Sequence, residues 1–559
     1  MLEELRGKYK LITLNKRQEC DFELIVNGGF SPLKGFLKKD DYESVVNDMR
    51  LQSGELWSLP VTLCINEEQM SSLKDEKYVL LENETGLLLG LMNISEKDSI
   101  YLPNISLEAE NVYGADDENH PYVKILKEYE NDGKIYNIGG TIEKFNLPPR
   151  YDFQEFRRTP AEVKEEINKR GWKKVIGFQT RNPMHRSHYE LTKYALSQAG
   201  EDAKLLLHPV VGITQDCDIN YHLRVKCYKE LMSYYDEDQA MLSLLPLTMR
   251  MAGPREAVMH AQIRKNHGCT HFVVGRDHAG PSYKKQDGTD FYGPYDAQDL
   301  LVKHAKEIGI EVIFSKLIVY ALHKETKEGT YMPIDKVDKE VYEVMNISGT
   351  KQRELLRKGE DLPEWFSFPK IAQLLKSEMS VNGKEGVCIY FVGLSGSGKS
   401  TIANYLISKI NELSSSRVTF LDGDVVRRHL SKGLGFSKED RSMNVRRIGY
   451  VCSEVVKHGG ISIAANIAPY EEDRVYNRKI ISQYGKYIEV YVNTTLDNCI
   501  SRDVKGLYKL ALEGKIKQFT GVSDPFEEPK DAELVLDGGK TIDESLNIVV
   551  EYLKSNNLL

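Results

Sequence analysis

The chain has 559 residues, 41% of them hydrophobic and 28% charged, with a net charge of −8. That is enough ordinary soluble-type sequence for several cores at roughly 150 residues per domain, and the acidic balance argues against nucleic-acid binding while allowing a local basic pocket for small anions. The eight cysteines form no CxxC pair, which supports neither a zinc site nor a disulfide framework, and the longest apolar runs are too short to span a bilayer. With an amino terminus, Met1-Leu-Glu-Glu4, that lacks the apolar core of a signal peptide, a cytoplasmic protein is expected, with no membrane partner.

Residues 1–150 mix short apolar runs, such as Val79-Leu-Leu81, Gly86-Leu-Leu-Leu-Gly90 and Ile135-Tyr-Asn-Ile-Gly139, with many Gly, Asn and Asp, and predict a β-rich domain. After Pro148-Pro149, strand-like runs at Lys174–Phe178, Lys204–Val211, Met241–Leu245 and His271–Gly275 alternate with predicted helices near 188–199, 221–235 and 254–267. Alternation of this kind implies a parallel sheet covered by helices. Pro363, Pro369 and the polar stretch Ser377–Gly386 read as the end of this unit and a linker, after which the βα pattern restarts. The domains are accordingly set at 1–150, 151–310, a small α/β connector at 311–380, and 381–559; the fold class is multidomain α/β.

The strongest motif is Gly393-Leu-Ser-Gly-Ser-Gly-Lys-Ser400, preceded by an apolar strand (387–392) and followed by a helix-forming run, Thr401–Leu413. Such a P-loop cradles phosphates on backbone N–H groups, here those of Gly393, Ser395, Gly396, Ser397, Gly398 and Thr401, while Lys399 reaches the β- and γ-phosphates and Ser400 ligates Mg²⁺. The next strand ends in Leu421-Asp-Gly-Asp424. Asp-Gly alone is an ordinary turn; beside a P-loop, Asp424 is a candidate to accept a hydroxyl proton or to organise metal-bound water.

Upstream, Gln179-Thr-Arg-Asn-Pro-Met-His185-Arg-Ser-His188 follows one predicted strand and Gly275-Arg-Asp-His-Ala-Gly-Pro281 another. A strand, a polar turn and a helix start make an anion site, with Gln179, Thr180, Arg181, Asn182, His185 and His188 supplying directed donors and Arg276 and His278 pointing to a phosphate-rich ligand. His-x-x-His also suits a metal, but no third ligand cluster accompanies it, so no zinc site is predicted. Ile347-Ser-Gly-Thr350 reads either as a further phosphate loop or as a helix N-cap.

Gly433-Leu-Gly-Phe436, Asp440-Arg-Ser-Met-Asn444-Val-Arg-Arg447, Ile467-Ala-Pro-Tyr470, Lys505-Gly-Leu-Tyr508 and Phe519-Thr-Gly521 together resemble adenylylsulfate (APS) kinases over almost all of 386–559. The resemblance implies phosphate transfer from ATP to the 3′-hydroxyl of APS, giving PAPS. It assigns Asp424 and Arg427 to the substrate, Phe436 and Phe519, followed by Thr520, to its adenine, and Arg441 and Asn444 to its phosphosulfate, with Ile467 and Lys505 completing the pocket. Ala468 stands where that family usually has Ser, and Met443 where it usually has Glu. Some fused relatives keep this domain only as a PAPS sensor; intact Lys399 and Ser400 favour a working kinase.

The two upstream motifs, with Asn27-Gly-Gly-Phe-Ser-Pro-Leu-Lys-Gly-Phe36 and Ser348-Gly-Thr-Lys-Gln-Arg-Glu-Leu-Leu356, resemble ATP sulfurylases over roughly 1–375. This implies a PUA-like first domain, then a nucleotidyltransferase turning MgATP and sulfate into APS and pyrophosphate. Gln179, Arg181 and the Ala279 backbone would bind sulfate, Thr180, Arg181 and Asn182 form the active-site trio, and His185, His188 and Gly275, Arg276, Asp277 and His278 hold ATP, with Val319 at the adenine. The first reaction is uphill and the second removes its product, which gives a reason for the fusion. The alternatives are a sulfurylase with a sensing domain, operation in reverse, and a non-catalytic scaffold. A homo-oligomer, dimer or hexamer, is expected by analogy.

Overall fold

The two motif-bearing stretches fold onto separate five-stranded parallel sheets, and in each the strand leading into the motif is the central one. The computed structural model describes residues 2–215, 218–347, 351, 355, 360–379, 385–414, 416–503 and 506–559. The chain divides into one unit of Met1–Pro149 with Gln154–Leu374 and another of Arg150–Phe153 with Leu375–Leu559.

The first unit begins with eight short strands: β1 (Lys10–Leu14), β2 (Gly35–Phe36), β3 (Leu63–Ile65), β4 (Tyr78–Asn83), β5 (Leu88–Asn93), β6 (Ile100–Tyr101), β7 (Tyr136–Ile138) and β8 (Gly140–Lys144). They form a mixed sheet ordered β1-β4-β5-β8-β2 and a smaller antiparallel one ordered β3-β7-β6. Helices absent from the sequence expectation cover them. One, Lys16–Val26, starts on a capping box of Asn15 and Gln18 and buries Phe22 in the core with Phe30 and Trp57. It also buries Asp21, paired at 2.7 Å with Arg250, which anchors the segment ahead of the helix Gly253–Asn266.

The catalytic sheet is ordered β11-β10-β9-β12-β13, from β9 (Lys174–Phe178), β10 (Ala203–Leu207), β11 (Ala240–Leu242), β12 (His271–Val274) and β13 (Glu311–Phe314). All its pairings are parallel. β13 lies beyond the expected boundary at 310 yet pairs with β12. Helices α1 (Arg186–Ala199), α2 (Tyr221–Leu231) and α3 (Gly253–Asn266) coincide with the three predicted ones, and α4 (Asp296–Ile308) follows. Val175, Leu206 and Phe272 on the sheet pack against Ala257, Val258 and Ala261 of α3 and Leu301 of α4. A three-stranded antiparallel sheet, β15-β14-β16, comes next, from β14 (Ile318–His323), β15 (Gly329–Pro333) and β16 (Tyr342–Met345). Of the motif at 348–356, only residues 351 and 355 are among those described.

The second unit has the sheet β18-β19-β17-β20-β21, made by β17 (Gly386–Val392), β18 (Val418–Asp422), β19 (Ile461–Ala465), β20 (Gly485–Asn493) and β21 (Leu534–Asp537), again all parallel. Alternation along β17 explains the layers. Val387, Ile389 and Phe391 point to α5 (Lys399–Leu413) and the last helix, Ile542–Ser555, while Cys388, Tyr390 and Val392 point to α7 (Lys438–Lys457). The short α6 (Gly423–Arg428) lies between β18 and α7. Among the described residues no helix is long and apolar enough to cross a membrane.

Candidate active sites

In the first unit the loops after β9 and β12 leave neighbouring parallel strands at their carboxyl edge, where ligands of open α/β sheets bind. The β9 loop is fastened by its backbone. Thr180 O accepts from Val210 N–H at 3.1 Å, Arg181 O from the buried Arg224 guanidinium of α2 at 2.8 Å, and Asn182 O from the Tyr228 hydroxyl at 2.7 Å. The Thr180 hydroxyl closes the turn on Asn182 O at 3.0 Å. Arg181 lies against both oxygens of Asp218 at 2.7 Å. His185 stands at the start of α1, its ring 4.4 Å from that of Phe366, and its N–H meets His188 Nδ1 at 3.3 Å. Burial holds His188 below the usual histidine range, so its ring is neutral at pH 7.

The β12 loop turns sharply. Asp277 and Ala279 have φ of +51° and +59°, and a Cβ on Gly280 would lie 2.1 Å from Asp277 Oδ1, so any larger residue there would push that exposed carboxylate aside. Arg276 and Asp277 face solvent, while His278 turns inward. His278 Nε2 is 3.0 Å from His260 Nδ1 on α3, and His260 Nε2 is 3.4 Å from both Glu256 Oε1 and Gln179 Nε2. Burial, then the neighbouring His260 and the Arg264 and Arg181 charges, hold His278 well below its ordinary value. The two loops thus meet through α3. Val319 lies apart from them in sequence and sheet, on β14 opposite Met332.

In the second unit Gly393, Gly396 and Gly398 take φ of +149°, +73° and +104°, and a Cβ on Gly393 would press on Val492 O at 2.7 Å. The loop opens into α5, capped by Gly398. Its carbonyls at Ser395 and Ser397 accept from Tyr508 and Thr494 hydroxyls at 2.9 and 3.0 Å. Lys399 Nζ rests on Leu394 O at 2.6 Å. Ser400 Oγ, exposed beside Thr401 on the first turn of α5, donates to Asp422 Oδ2 at 2.6 Å. β18 ends at Asp422, so that carboxylate occupies the strand end, and Asp424 lies two residues on, in the first turn of α6.

Around Asp424, Arg427 donates to Gly435 O at 2.9 Å and its guanidinium lies 4.5 Å from the Phe436 ring centre. Burial and the nearby Arg441 charge lower the Arg427 pKa. Arg441, on α7, reaches Thr520 Oγ1 at 2.8 Å and Asp524 at 2.9 Å, bringing in the segment that carries Phe519. Asn444, one turn on, has a buried side-chain oxygen without a partner. Ile467 lies after β19, its carbonyl 3.5 Å from Gly393 N–H, so this pocket adjoins the P-loop. Lys505 falls outside the described residues.

Arg224, Tyr228, Asp218, Glu256, His260 and Asp422 escape sequence reasoning. Arg224, Tyr228, Asp218, His260 and Asp422 act through contacts distant in sequence, Glu256 through His260 one turn on; Asp422 was in plain view in the Asp-Gly-Asp pattern.

Loops at the carboxyl edge of one parallel sheet, followed by a P-loop unit on another, define a two-unit α/β enzyme of the nucleotide-handling class. Family models match in the same order: "PUA-like domain" at 2–147, "ATP-sulfurylase" at 154–378 and "Adenylylsulphate kinase" at 385–537. A protein of Phaeosphaeria nodorum named sulfate adenylyltransferase is 43% identical over 556 residues, covering 99% of this chain and 94% of the relative. One of the same name from Emericella nidulans is 45% identical over 533 residues, covering 95% and 90%. A solved structure described as "Hexameric APS kinase from Thiobacillus denitrificans" aligns at a TM-score of 0.56 and 28% identity, covering 100% of this chain and 95% of that one. The chain belongs to the sulfate adenylyltransferase (ATP sulfurylase) family and carries an adenylylsulphate kinase domain behind the sulfurylase region.

Proposed function

We propose that the protein activates sulfate in two steps: adenylyl transfer from ATP to sulfate, giving APS and pyrophosphate, then phosphorylation of the APS 3′-hydroxyl, giving PAPS and ADP. In the first step a sulfate oxygen forms a bond to the α-phosphorus and the bond to the β-phosphate oxygen breaks. Sulfate is already ionised, so no base is needed; the task is to bring two anions together and stabilise the transition state. Gln179, Arg181 and the Ala279 backbone take the sulfate, with Thr180 and Asn182 shaping the turn. His185, His188, Gly275, Arg276, Asp277 and His278 take the nucleotide, and Val319 its adenine. His188, neutral and with its Nδ1 taken by the His185 N–H, keeps Nε2–H as a donor for the nucleotide.

In the second step Arg427, Arg441, Asn444, Ile467, Phe436, Phe519 and Thr520 hold APS, and Asp424 accepts the 3′-hydroxyl proton as the oxygen attacks the γ-phosphorus. Ser400 and Asp422 form a hydroxyl–carboxylate pair at the P-loop edge, a donor set suited to Mg²⁺, which takes few protein ligands and keeps waters. When bound, the ion offsets phosphate charge. The pairing of Ser400 with Asp422 beside Lys399 is the observation that carries catalysis here over mere PAPS sensing. The hexamer named for the Thiobacillus denitrificans structure supports a homo-oligomer, and ATP dependence supports a cytoplasmic place.

Product analysis with ATP, sulfate and pyrophosphatase tests both steps. PAPS is expected; APS alone would reduce the second unit to a sensor, and neither product would sink the reading.

A further inference from the structure

His260 is buried in the middle of α3, and its side chain reaches both loops of the sulfurylase site. Its carboxylate partner is strongly anchored. Glu256 Oε1 accepts Arg250 N–H at 3.0 Å and Oε2 accepts Ala252 N–H at 2.9 Å, and Arg250 is itself held by Asp21. Burial alone would push the Glu256 carboxyl up, but His260 and these N–H groups outweigh it, so it stays ionised.

An ionised Glu256 facing His260 Nε2 requires a proton on that nitrogen. A neutral ring with Nε2–H leaves Nδ1 as an acceptor, and the group opposite Nδ1, 3.0 Å away, is His278 Nε2, which must then donate. His278 Nδ1 is left to accept from Gly275 N–H at 3.5 Å. Every nitrogen of the pair is thereby assigned.

Gln179 conflicts with this order in one respect. Its amide nitrogen lies 3.4 Å from His260 Nε2, donor against donor, while its buried Oε1 has no partner. Exchanging the amide nitrogen and oxygen, a choice that the hydrogen-bond network decides, removes the conflict. Oε1 then accepts from His260, and the amide N–H groups take the buried position that has no protein partner, left for an anion that reaches the site.

We propose that His260, anchored by Glu256, is a positioning residue of the sulfurylase site: its Nε2–H holds the Gln179 carbonyl so that the amide N–H groups serve the sulfate, and its Nδ1 fixes His278 as the Nε2–H tautomer. This rests on Gln179 being a sulfate ligand. His260 touches neither substrate, so its loss should show as a split between the two.

The experiment uses the full chain. His260→Phe keeps the volume without the nitrogens, and should raise the sulfate KM by about ten- to hundred-fold, the worth of the amide hydrogen bond to a charged sulfate, with a smaller rise, of about threefold, in the ATP KM through His278. His260→Gln, whose amide restores a donor toward Gln179, should recover much of the sulfate KM. Unchanged sulfate KM in a folded His260→Phe protein, or equal damage to both KM values by Phe and Gln, overturns the proposal. A second readout is independent of turnover: in ¹⁵N-histidine-labelled protein at pH 7.5, with His260→Gln and His278→Gln giving the assignments, both rings should be Nε2–H tautomers. A proton on His260 Nδ1 overturns the proposal even in an active enzyme. Wild-type protein that releases no pyrophosphate with sulfate would sink the functional reading instead, and the tautomers would still judge the positioning pair.

Discussion

The Ser400 hydroxyl and the Asp422 carboxylate meet at 2.6 Å, and the other oxygen of the same carboxylate accepts from Asp424 and Val425 N–H, capping α6. One side chain thus joins the P-loop helix to the helix that presents Asp424 and Arg427. Asp422→Ala should lower APS phosphorylation by at least about a hundredfold. It should also cost about 1 kcal/mol as a lost helix cap. Pyrophosphate release with sulfate should be untouched. Supplying APS and ATP and measuring PAPS separates the two effects.

Arg181 is charged and half-buried against Asp218. If it stabilises the charge that develops during adenylyl transfer, Arg181→Ala should reduce kcat/KM for sulfate by about 10²- to 10³-fold. Asp218→Asn keeps the guanidinium and should cost no more than about tenfold. Equal losses in the two variants would mean that the pair acts as structure, and initial rates of pyrophosphate release decide it.

Tyr228 donates its hydroxyl to Asn182 O, which also accepts from the Thr180 hydroxyl. Tyr228→Phe removes only that hydroxyl, at a cost of about 1 kcal/mol. A drop of roughly fivefold in kcat, with a small fall in melting temperature, is expected. No change in kcat would show that the other ties of the loop, from Val210, Arg224 and Thr180, are enough to hold it.

Six histidines of the first unit sit below their ordinary pKa because burial disfavours the charged ring: His120 at about 4, His267 at about 3, and His188, His208, His260 and His278 lowered as well. The unfolded chain takes up these protons near pH 6.5 and the folded chain only at lower pH. Stability is therefore full above about 6.5 and falls as pH drops toward the folded values, by up to about 1.4 kcal/mol per pH unit for each group. Glu108, which burial pushes up to about 7, works the other way, as do Asp21 and Asp277, which burial also raises. The melting transition of this unit should move down steadily from pH 7 to 5; a flat profile would refute the burial of these rings.

Much of this was legible in the sequence because it is local. The P-loop, the β9 and β12 turns and the run of alternating strands and helices depend on neighbours within a few residues, and β17 announces itself by seven buried residues in a row. What stayed hidden depends on distance. Arg224 and Tyr228 lie more than 40 residues beyond the loop they hold, and nothing in the pattern around His260 says that it will face His278. The helices of the first 150 residues hid for another reason. They are short and carry much polar sequence, so the Gly- and Asn-rich turns between them dominated the reading.

Both parallel sheets are built outward from the strand made first. β9 gains its neighbours only with β10 and β12, and β17 waits for β19 and β20, which end near residues 465 and 493. On the ribosome each of these strands leaves the exit tunnel long before it has a partner, and β17 is apolar enough to seek a wrong one. Truncation anywhere between 393 and 461 should thus leave an exposed, aggregation-prone strand. The layout that places the β9 loop and the P-loop at the centres of their sheets also makes the strands before them the most vulnerable stretches of the nascent chain.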